Sequence, residues 1–281
     1  MVGPVVCGVD FSEDSKRALQ WASLMSRQLK QPLVAVHAIE PLLVSAADLE
    51  YGADALRSTL LAELKTFVAR TLGKSRRVRS EIGTGAPGGV IRGTALASGA
   101  SLIVLGTQGL GHVGRIWFGS ATTRVLREST LPVLAVPPGA ASRSGTRLRV
   151  ARIIVGTDFG SAASAAIDTA KELSHIFRVK VTLLHAVPAI PARTGWRGAV
   201  AQAVEAALSD ARAQMAATAP ARWDSDVRSG NPARVLVEAA AGHDALIVVG
   251  LGGSQPGQLP GTTAYRVLCE ADAPVLAVPA R

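Results

Sequence analysis

Residues 101–120 read SLIVLGTQGLGHVGRIWFGS, an aliphatic run that ends at Gly106 and is followed by Gly109 and Gly119-Ser120. The aliphatic run predicts a buried strand, and the segment after Gly119 predicts a helix. Glycines at this spacing allow a backbone to approach a phosphate chain closely. The first turn of a helix adds free N–H groups and the positive end of its dipole. The stretch therefore predicts a strand, a phosphate-binding loop and a helix in succession.

The same arrangement occurs a second time, which indicates two copies of one fold. A second aliphatic run ends at Gly250, 144 residues after Gly106, and further glycines follow it up to Gly261. The segments 5–10 and 153–158 are offset by 148 and both end in aspartate, whereas the offset falls to 142 beyond the second glycine loop. The second loop is therefore two residues shorter, and only the first copy retains the full glycine spacing.

Each copy follows the pattern β-α-β-α-β-α-β-α-β. Ser12 is a suitable N-cap for a first helix from Glu13 through Leu29. The second helix is predicted at about 48–72 in the first copy and at about 199–217 in the second. Right-handed crossovers would wind such a chain into a parallel sheet with helices on both faces. We therefore predict two tandem, doubly wound, five-stranded parallel α/β sheets.

The length of 281 residues suits two domains, each large enough to bury its own core. We place the first domain at 1–139, the linker at 140–149 and the second domain at 150–281. Hydrophobic residues make up 48% of the chain and aromatic residues only 4%, which fits aliphatic strands covered by alanine-rich helices.

Other features of the sequence narrow the class of protein. No apolar run approaches the roughly 18–20 residues that span a bilayer, and the chain opens without a basic segment or a cleavage site. We expect a soluble, cytoplasmic protein with no membrane partner. Cys7 and Cys269 fall in different copies without a CxxC partner, so neither a disulfide framework nor a metal site is indicated.

The formal net charge is +9, and the excess is concentrated in the first copy and the linker. Residues 1–140 contain 15 Lys and Arg against 10 Asp and Glu, whereas residues 151–281 contain 12 against 11. The densest basic run, at 74–79, indicates either an acidic partner or a solvated loop. With so few aromatic residues for base stacking, we expect no specific binding of nucleic acid.

These residues together resemble the universal stress protein family in a tandem form, over essentially the whole chain. The resemblance rests on Asp10 at the end of the first strand, on Gly85-Ala86-Pro87, and above all on Gly106-x2-Gly109-x9-Gly119-Ser120. It implies a Rossmann-like fold of the adenine nucleotide alpha hydrolase-like class.

The resemblance to ATP-binding members also implies a ligand and a set of site residues in the first domain. ATP, with or without Mg²⁺, is the implied cofactor. Asp10 would contact the ribose, and the backbone near Val9 and Ala38 would hold adenine. The phosphates would be wrapped by Gly106, Gly109, Gly119, Ser120 and Ala121. The family further implies that two such domains pair through their last strands, here 133–136 and 275–278, either within one chain or in a homodimer.

Several of these residues also have a purely structural interpretation. Asp10 can be a turn or helix-start residue, although its recurrence as Asp158 favours a functional role. Ser120 can be a plain N-cap, a role compatible with phosphate binding. His37 and His185 recur at strand ends without clustered ligands, which favours core or hydrogen-bonding roles over metal binding.

Two glycine motifs are discounted. Residues 83–88 match GxGxxG, but they follow the third predicted strand, which favours a helix start over a dinucleotide site. Gly114 to Gly119-Ser120 resembles a Walker loop without its lysine, which argues against efficient phosphoryl transfer.

Our leading hypothesis is therefore an ATP-binding regulatory module of the stress response whose nucleotide state alters its shape or assembly. Hydrolysis should be slow or absent, because His112 and Arg115 are the only evident cationic groups in the loop, and we assign no catalytic residue. The alternatives are a dimerising scaffold that holds no nucleotide and a true enzyme that hydrolyses ATP.

Overall fold

A computed structural model describes residues 1–50, 52–73, 77–107, 119–140, 148–188, 197–242, 244–252 and 262–280 of the chain. The chain divides into two compact units, with the boundary between Arg149 and Val150. Each unit is a mostly parallel α/β domain, which confirms the predicted fold class.

Domain 1 alternates strands and helices along its length. Its elements are β1 (Val5–Gly8), α1 (Glu13–Leu29), β2 (Leu33–Ile39), α2 (Pro41–Glu50), α3 (Ala53–Leu72), β3 (Arg79–Thr84), α4 (Pro87–Ala97), β4 (Leu102–Gly106), α5 (Ser120–Glu128) and β5 (Val133–Val136). The strands lie in the order β3-β2-β1-β4-β5, and each neighbouring pair is parallel. The order reverses between β1 and β4, and ligands of such sheets bind at this point, beyond the carboxyl ends of the strands.

Domain 2 repeats the arrangement. Its elements are β6 (Arg152–Gly156), α6 (Ser161–Phe177), β7 (Lys180–Val187), α7 (Arg197–Thr218), β8 (Asp224–Ser229), α8 (Pro232–Ala239), β9 (Ala245–Leu251), α9 (Thr262–Glu270) and β10 (Val275–Pro279). The parallel order β8-β7-β6-β9-β10 again reverses next to the first strand, between β6 and β9.

Helix α1 has the predicted bounds, because its ends are specified locally. The Ser12 side chain accepts a hydrogen bond from the Ser15 N–H at 3.1 Å, and Lys30 ends the helix in a left-handed conformation with φ of 55°. One face of α1 is buried against the sheet and includes the fully buried side chains of Leu19 and Met25. This packing positions the first turn of α1 next to the carboxyl ends of β1 and β4.

The single helix predicted at about 48–72 is wrong, since two helices, α2 and α3, occupy this region. Gly52 separates them with φ of 84° and ψ of 134°, a conformation that no helix contains. Glycine adopts positive φ at little steric cost, so the helical pattern is interrupted there. In domain 2 the corresponding prediction is confirmed by α7, which includes the whole predicted segment.

Two glycines at strand ends allow a helix to approach the sheet closely. A Cβ atom on Gly106 would lie 3.1 Å from backbone and side-chain atoms of Asp14, and one on Gly250 would lie 2.3 Å from the carbonyl oxygen of Ala162. Gly106, the last residue of β4, and Gly250, one residue before the end of β9, therefore have a packing reason to be glycine that is independent of any ligand.

Candidate functional site

Each domain contains a cavity at the carboxyl edge of its sheet, where the strand order reverses. The domain 1 cavity has a volume of about 100 Å³ and the domain 2 cavity about 130 Å³. The domain 1 cavity is lined by Gly8, Val9, Asp10, Ser15, Val36, His37, Ala38, Pro87, Ile91, Leu105, Gly106, Gly119, Ala121 and Thr122. Strands β1, β2 and β4 thus supply its floor, while the starts of three helices form its walls.

Six of the predicted site residues meet at this cavity. They are Val9, Asp10, Ala38, Gly106, Gly119 and Ala121. Ser120 lies between two of the lining residues, at the first position of α5. Gly109 lies outside the described residues, as do His112 and Arg115. The sequence therefore predicted which described segments meet at the cavity, but it did not predict which hydrogen bonds their polar groups make.

The Asp10 carboxylate is engaged in a local turn. Its Oδ1 accepts hydrogen bonds from the Ser12 N–H at 3.1 Å and from the Ser12 hydroxyl at 2.5 Å. Asp158 makes the equivalent bond to the Gly160 N–H at 2.9 Å. The turn interpretation is thus realised in both domains, but it uses only Oδ1. Among the described residues, Oδ2 of neither aspartate accepts a hydrogen bond, so it remains able to accept one from a ligand.

His37 fixes the backbone at the end of β1. Its Nδ1 lies 2.8 Å from the carbonyl oxygen of Val9, and in domain 2 the Nδ1 of His185 lies 2.8 Å from that of Thr157. Because a carbonyl oxygen only accepts, Nδ1 must carry a proton and donate it. Both histidines therefore have the hydrogen-bonding role that their recurrence favoured.

The backbone groups of Val9 are already hydrogen-bonded within the domain, which leaves them less capacity to bind a base than the sequence suggested. Its N–H donates to the Val36 carbonyl oxygen at 2.9 Å, as part of the sheet, and its carbonyl oxygen accepts from His37. One carbonyl lone pair remains. Any base held at Val9 would have to donate to that oxygen.

An aromatic residue beside each aspartate was not predicted as part of the site. Phe11 and Phe159 have φ of 64° and 63°, and their ring centroids lie 4.6 Å from those of His37 and His185. Positive φ is a costly conformation for a bulky residue, and it persists only where the surroundings impose it. The signal was available, because Asp-Phe occurs in both copies at the same offset of 148.

The first turn of α5 lies at the domain 1 cavity, and no described side chain caps its N–H groups. Gly119 is the N-cap residue and Ser120 the first helical residue, so the N-cap interpretation of Ser120 is wrong. Gly119 has no side chain, and among the described residues no side-chain oxygen caps the N–H groups of Ser120, Ala121 and Thr122. Such donors at the positive end of a helix are suited to an anion.

Hydrogen bonds hold together the two ends of the glycine loop. The Gly119 N–H donates to the Thr107 carbonyl oxygen at 3.1 Å, and the Thr122 hydroxyl donates to the Gly106 carbonyl oxygen at 2.8 Å. Thr122 is 4% exposed. The start of α5 is thereby tied to the end of β4. Sequence reasoning missed Thr122, and nothing local marks it, since its partner lies 16 residues away.

The domain 2 cavity is lined at corresponding positions. Its lining residues are Gly156, Thr157, Asp158, Ala162, Ala163, Leu184, His185, Ala186, Pro232, Leu236, Val249, Gly250, Thr263 and Ala264. The aspartate, the histidine and the strand-end glycines are therefore retained. The hydroxyl groups of Ser15 and Thr122 are replaced by alanine, at Ala163 and Ala264.

The remaining candidate groups have structural roles. Burial raises the pKa of the Cys7 thiol far above its usual range, and burial also raises the pKa of Cys269. Nowhere in the described part of the chain do three or more His, Cys, Asp or Glu side chains come together as a metal site would require. No helix within the described ranges is both long and apolar enough to cross a bilayer.

Comparisons with known proteins place these features in context. The sequence profile described as the universal stress protein family matches residues 1–137 and 150–279. A universal stress protein of Mycolicibacterium smegmatis is 28% identical over 190 residues, which cover 64% of this chain but only 63% of that relative. A universal stress protein of Thermus aquaticus is 32% identical over 137 residues, which cover 48% of this chain and 99% of that relative.

Solved structures show the same fold over the whole chain. A universal stress protein from Archaeoglobus fulgidus matches with a TM-score of 0.65 at 15% identity, covering 99% of this chain and 98% of that one. A universal stress protein from Pseudomonas aeruginosa matches with a TM-score of 0.64 at 16% identity, covering 99% and 93%. At these identities the similarity concerns the fold alone.

Proposed function

The chain belongs to the universal stress protein family, and we propose that its first domain binds ATP and acts as a nucleotide-dependent regulatory module of the stress response. The observation that carries this proposal is the first turn of α5, which no described side chain caps, beside a cavity that Asp10 also lines. The first turn of α5 suits an anion, and the Asp10 carboxylate suits a sugar hydroxyl.

The base and the ribose would occupy the part of the cavity formed by β1 and β2. Apolar side chains of Val36, Ile91 and Leu105 line it and provide walls for a flat base. The remaining lone pair of the Val9 carbonyl oxygen would accept from the base, in a position that His37 holds in place. Oδ2 of Asp10 would accept from a ribose hydroxyl while Oδ1 keeps the turn with Ser12.

The phosphates would lie at the start of α5. The N–H groups of Ser120, Ala121 and Thr122 can donate without displacing a cap from any described side chain. Charge-assisted hydrogen bonds contribute about 1.5–3 kcal/mol each. Three such bonds sum to about 4.5–9 kcal/mol before the cost of ordering the ligand, so contacts to the base and the ribose must also contribute to the roughly 8 kcal/mol of micromolar affinity. Mg²⁺, where it accompanies ATP, would be held by phosphate oxygens and water.

We further propose that hydrolysis is slow or absent and that the protein works in the cytoplasm. None of the described side chains at the cavity is a lysine or arginine. Phosphoryl transfer depends on cations that neutralise developing charge and on a residue that positions the nucleophile. A site that binds through backbone groups without these elements is suited to sensing nucleotide rather than consuming it.

The test uses calorimetry with ATP on the full chain and on two matched variants. Ala121→Trp places a large side chain in the domain 1 cavity, and Thr263→Trp does the same at the corresponding position of domain 2. We expect one strong ATP site per chain, lost in Ala121→Trp and retained in Thr263→Trp. Unchanged ATP binding in a folded Ala121→Trp protein would reject this site.

A further inference from the structure

Positive charge is concentrated at the amino edge of the domain 1 sheet, the edge at which its strands begin. Because all five strands are parallel, the helices α1, α3, α4 and α5 end at this edge and lead into the next strand there. Their last turns, the connections and the strand starts contain six described cations, all exposed: Arg27, Lys30, Arg70, Arg77, Arg79 and Arg127. Glu128 is the one described acid in the same segments, and it pairs with Arg92 and Arg124.

Helix dipoles explain only part of this concentration. A cation in the last turn of a helix is stabilised by the negative end of the dipole, which accounts for Arg27 and Arg70. Arg77 and Arg79 lie outside any helix. Of these two, only Arg79 forms an ion pair with a described acid, Glu81. Since neighbouring like charges repel, the stability of the domain gives no reason for them.

Two exposed apolar side chains lie at the same edge. Val2 and Leu96 are 90% and 58% exposed. The Gly3 N–H donates to Oε1 of Gln31 at 3.2 Å, which places Val2 beside the end of α1. The Gly3 carbonyl oxygen accepts from the Ser101 hydroxyl at 2.9 Å, so the same segment also contacts the connection that follows Leu96. Charged and apolar side chains therefore share one surface.

The strand register extends this surface to the basic connection before β3. Arg79 opposes Val34 near the start of β2, and Lys30 ends the helix that leads into β2. The strands β3, β2, β1 and β4 are neighbours in the sheet, and at about 4.8 Å between strands they span about 15 Å. The cations form an exposed row rather than the lining of a cavity, which suits an extended anionic surface better than a small anion.

Domain 2 does not repeat this charge. Asp224 opposes Thr182 as Arg79 opposes Val34, so an acid occupies the position of a cation. The corresponding helix ends, connections and strand starts contain four described cations, Arg152, Arg178, Lys180 and Arg222, and five described acids, Asp224, Glu238, Asp244, Glu270 and Asp272. The positive edge is therefore a property of domain 1 and not of the fold.

We propose that the amino edge of domain 1 binds the surface of an anionic lipid bilayer, with its cations at the headgroups and Val2 and Leu96 in the interface. Lys and Arg residues beside exposed apolar side chains bind such a surface through charge and through burial of apolar area. Nucleic acid fits less well, because these segments contain no aromatic residue to stack on a base.

This contact is peripheral and needs no membrane-spanning segment. The expectation of no membrane partner rested on the lack of an apolar run long enough to span a bilayer, which does not bear on a peripheral contact. The domain 1 cavity lies at the opposite, carboxyl edge of the sheet. It would therefore stay open to solvent while the amino edge contacts lipid, and the inference does not depend on ATP binding.

The experiment is sedimentation of the full chain with vesicles made of equal parts of phosphatidylcholine and phosphatidylglycerol. We expect binding that falls as salt is added, and no binding to vesicles of phosphatidylcholine alone. Each Lys or Arg near an anionic bilayer strengthens binding by about fivefold. The combined substitutions Lys30→Glu and Arg77→Glu should therefore weaken binding at least about tenfold.

Domain 2 supplies the matched control for charge. Arg178 ends α6 with φ of 56°, as Lys30 ends α1 with φ of 55°, and Arg222 lies in the connection before β8 as Arg77 lies in that before β3. The combined substitutions Arg178→Glu and Arg222→Glu change the net charge by the same amount. They should alter vesicle binding by less than about twofold, because charges beyond a Debye length from the bilayer contribute little.

A second pair of variants tests the apolar part of the contact. Leu96→Ser should weaken vesicle binding at least about twofold, because an exposed leucine no longer enters the interface. Leu42→Ser is the control, since Leu42 is 81% exposed on α2, which follows the carboxyl end of β2. It should leave vesicle binding unchanged.

Several results would overturn the inference. They are no binding to the anionic vesicles, equal binding to both kinds of vesicle, and equal losses in the two charge variants. Binding of mixed-sequence double-stranded DNA by a chain that leaves the vesicles unbound would also overturn it, in favour of a nucleic-acid partner. The Lys30→Glu and Arg77→Glu variant should keep the ATP affinity and the urea midpoint of the unmodified chain, and a loss of either would assign its weaker vesicle binding to misfolding and reject the assignment of these two residues.

Discussion

Replacement of Thr122 by valine tests whether the hydroxyl tie between α5 and β4 is needed for nucleotide binding. Valine has nearly the shape of threonine and the same branched Cβ, so packing in the helix is retained. The variant loses only the hydroxyl that donates to the Gly106 carbonyl oxygen at 2.8 Å. Because Thr122 is 4% exposed, water replaces this donor poorly.

The expected magnitude follows from this single bond. A typical hydrogen bond contributes about 0.5–1.5 kcal/mol, and a buried acceptor left without a donor costs about 1–3 kcal/mol. We expect domain 1 to lose about 1–2 kcal/mol of stability. The start of α5 would also move relative to the end of β4. Loss of one charge-assisted bond to phosphate, at about 1.5 kcal/mol or more, would weaken ATP binding at least about tenfold.

The assay combines calorimetry with ATP and urea unfolding of the full chain. Thr122→Ser is the matched control, since it keeps the hydroxyl and removes only a methyl group. It should bind ATP within about threefold of the unmodified chain, a difference of roughly 0.7 kcal/mol. The reasoning would be refuted if valine lowered stability but left ATP affinity unchanged, or if serine and valine weakened ATP binding equally.

Two further predictions concern stability. Burial holds the pKa of the Cys7 thiol in the folded chain above its unfolded value of about 8.5. The folded chain therefore keeps its full stability below that pH, and it loses stability as the pH rises further, because the unfolded chain then ionises this thiol more readily than the folded chain does. Unfolding measurements between pH 8 and 10 should show a decline of up to about 1.4 kcal/mol per pH unit from this residue, absent in Cys7→Ala; equal slopes would contradict it. Gly250→Ala should lower the urea midpoint far more than Gly106→Ala, because its new Cβ would lie 2.3 Å rather than 3.1 Å from helix atoms. Overpacking of this kind costs about 1–3 kcal/mol, and equal midpoints in the two variants would show that α6 can move aside.

The parts of the fold that sequence predicted well are those with a local cause. The bounds of α1 follow from the Ser12 cap, which directly precedes the helix, and from the spacing of apolar residues within the helix. The break at Gly52 was missed because a lone glycine in a helical pattern is often tolerated, and only its φ of 84° reveals the turn. Local sequence patterns thus located the helices and strands, but they did not reveal the break between α2 and α3.

The candidate site shows the same division. The glycine spacing and the repeated aspartates located Asp10, Gly106 and Gly119 correctly around one cavity. The bond between Thr122 and Gly106 joins a helix to a strand 16 residues earlier, and no local pattern encodes such a contact. The sequence alone allowed a turn role for the Asp10 carboxylate. Only the structure shows that the turn uses Oδ1 and that Oδ2 accepts no hydrogen bond from a described residue.

The measurement that tests the central claim most directly is photoaffinity labelling of the full chain with 8-azido-ATP, followed by mass spectrometry of the tryptic peptides. The claim is that the ATP site lies in domain 1, at a cavity formed by the ends of β1, β2 and β4. We predict that labels fall on peptides of residues 1–139, that unlabelled ATP competes them away, and that Ala121→Trp removes them. Labelling of equal extent on peptides of domain 2, or labelling that survives in Ala121→Trp, would contradict the claim.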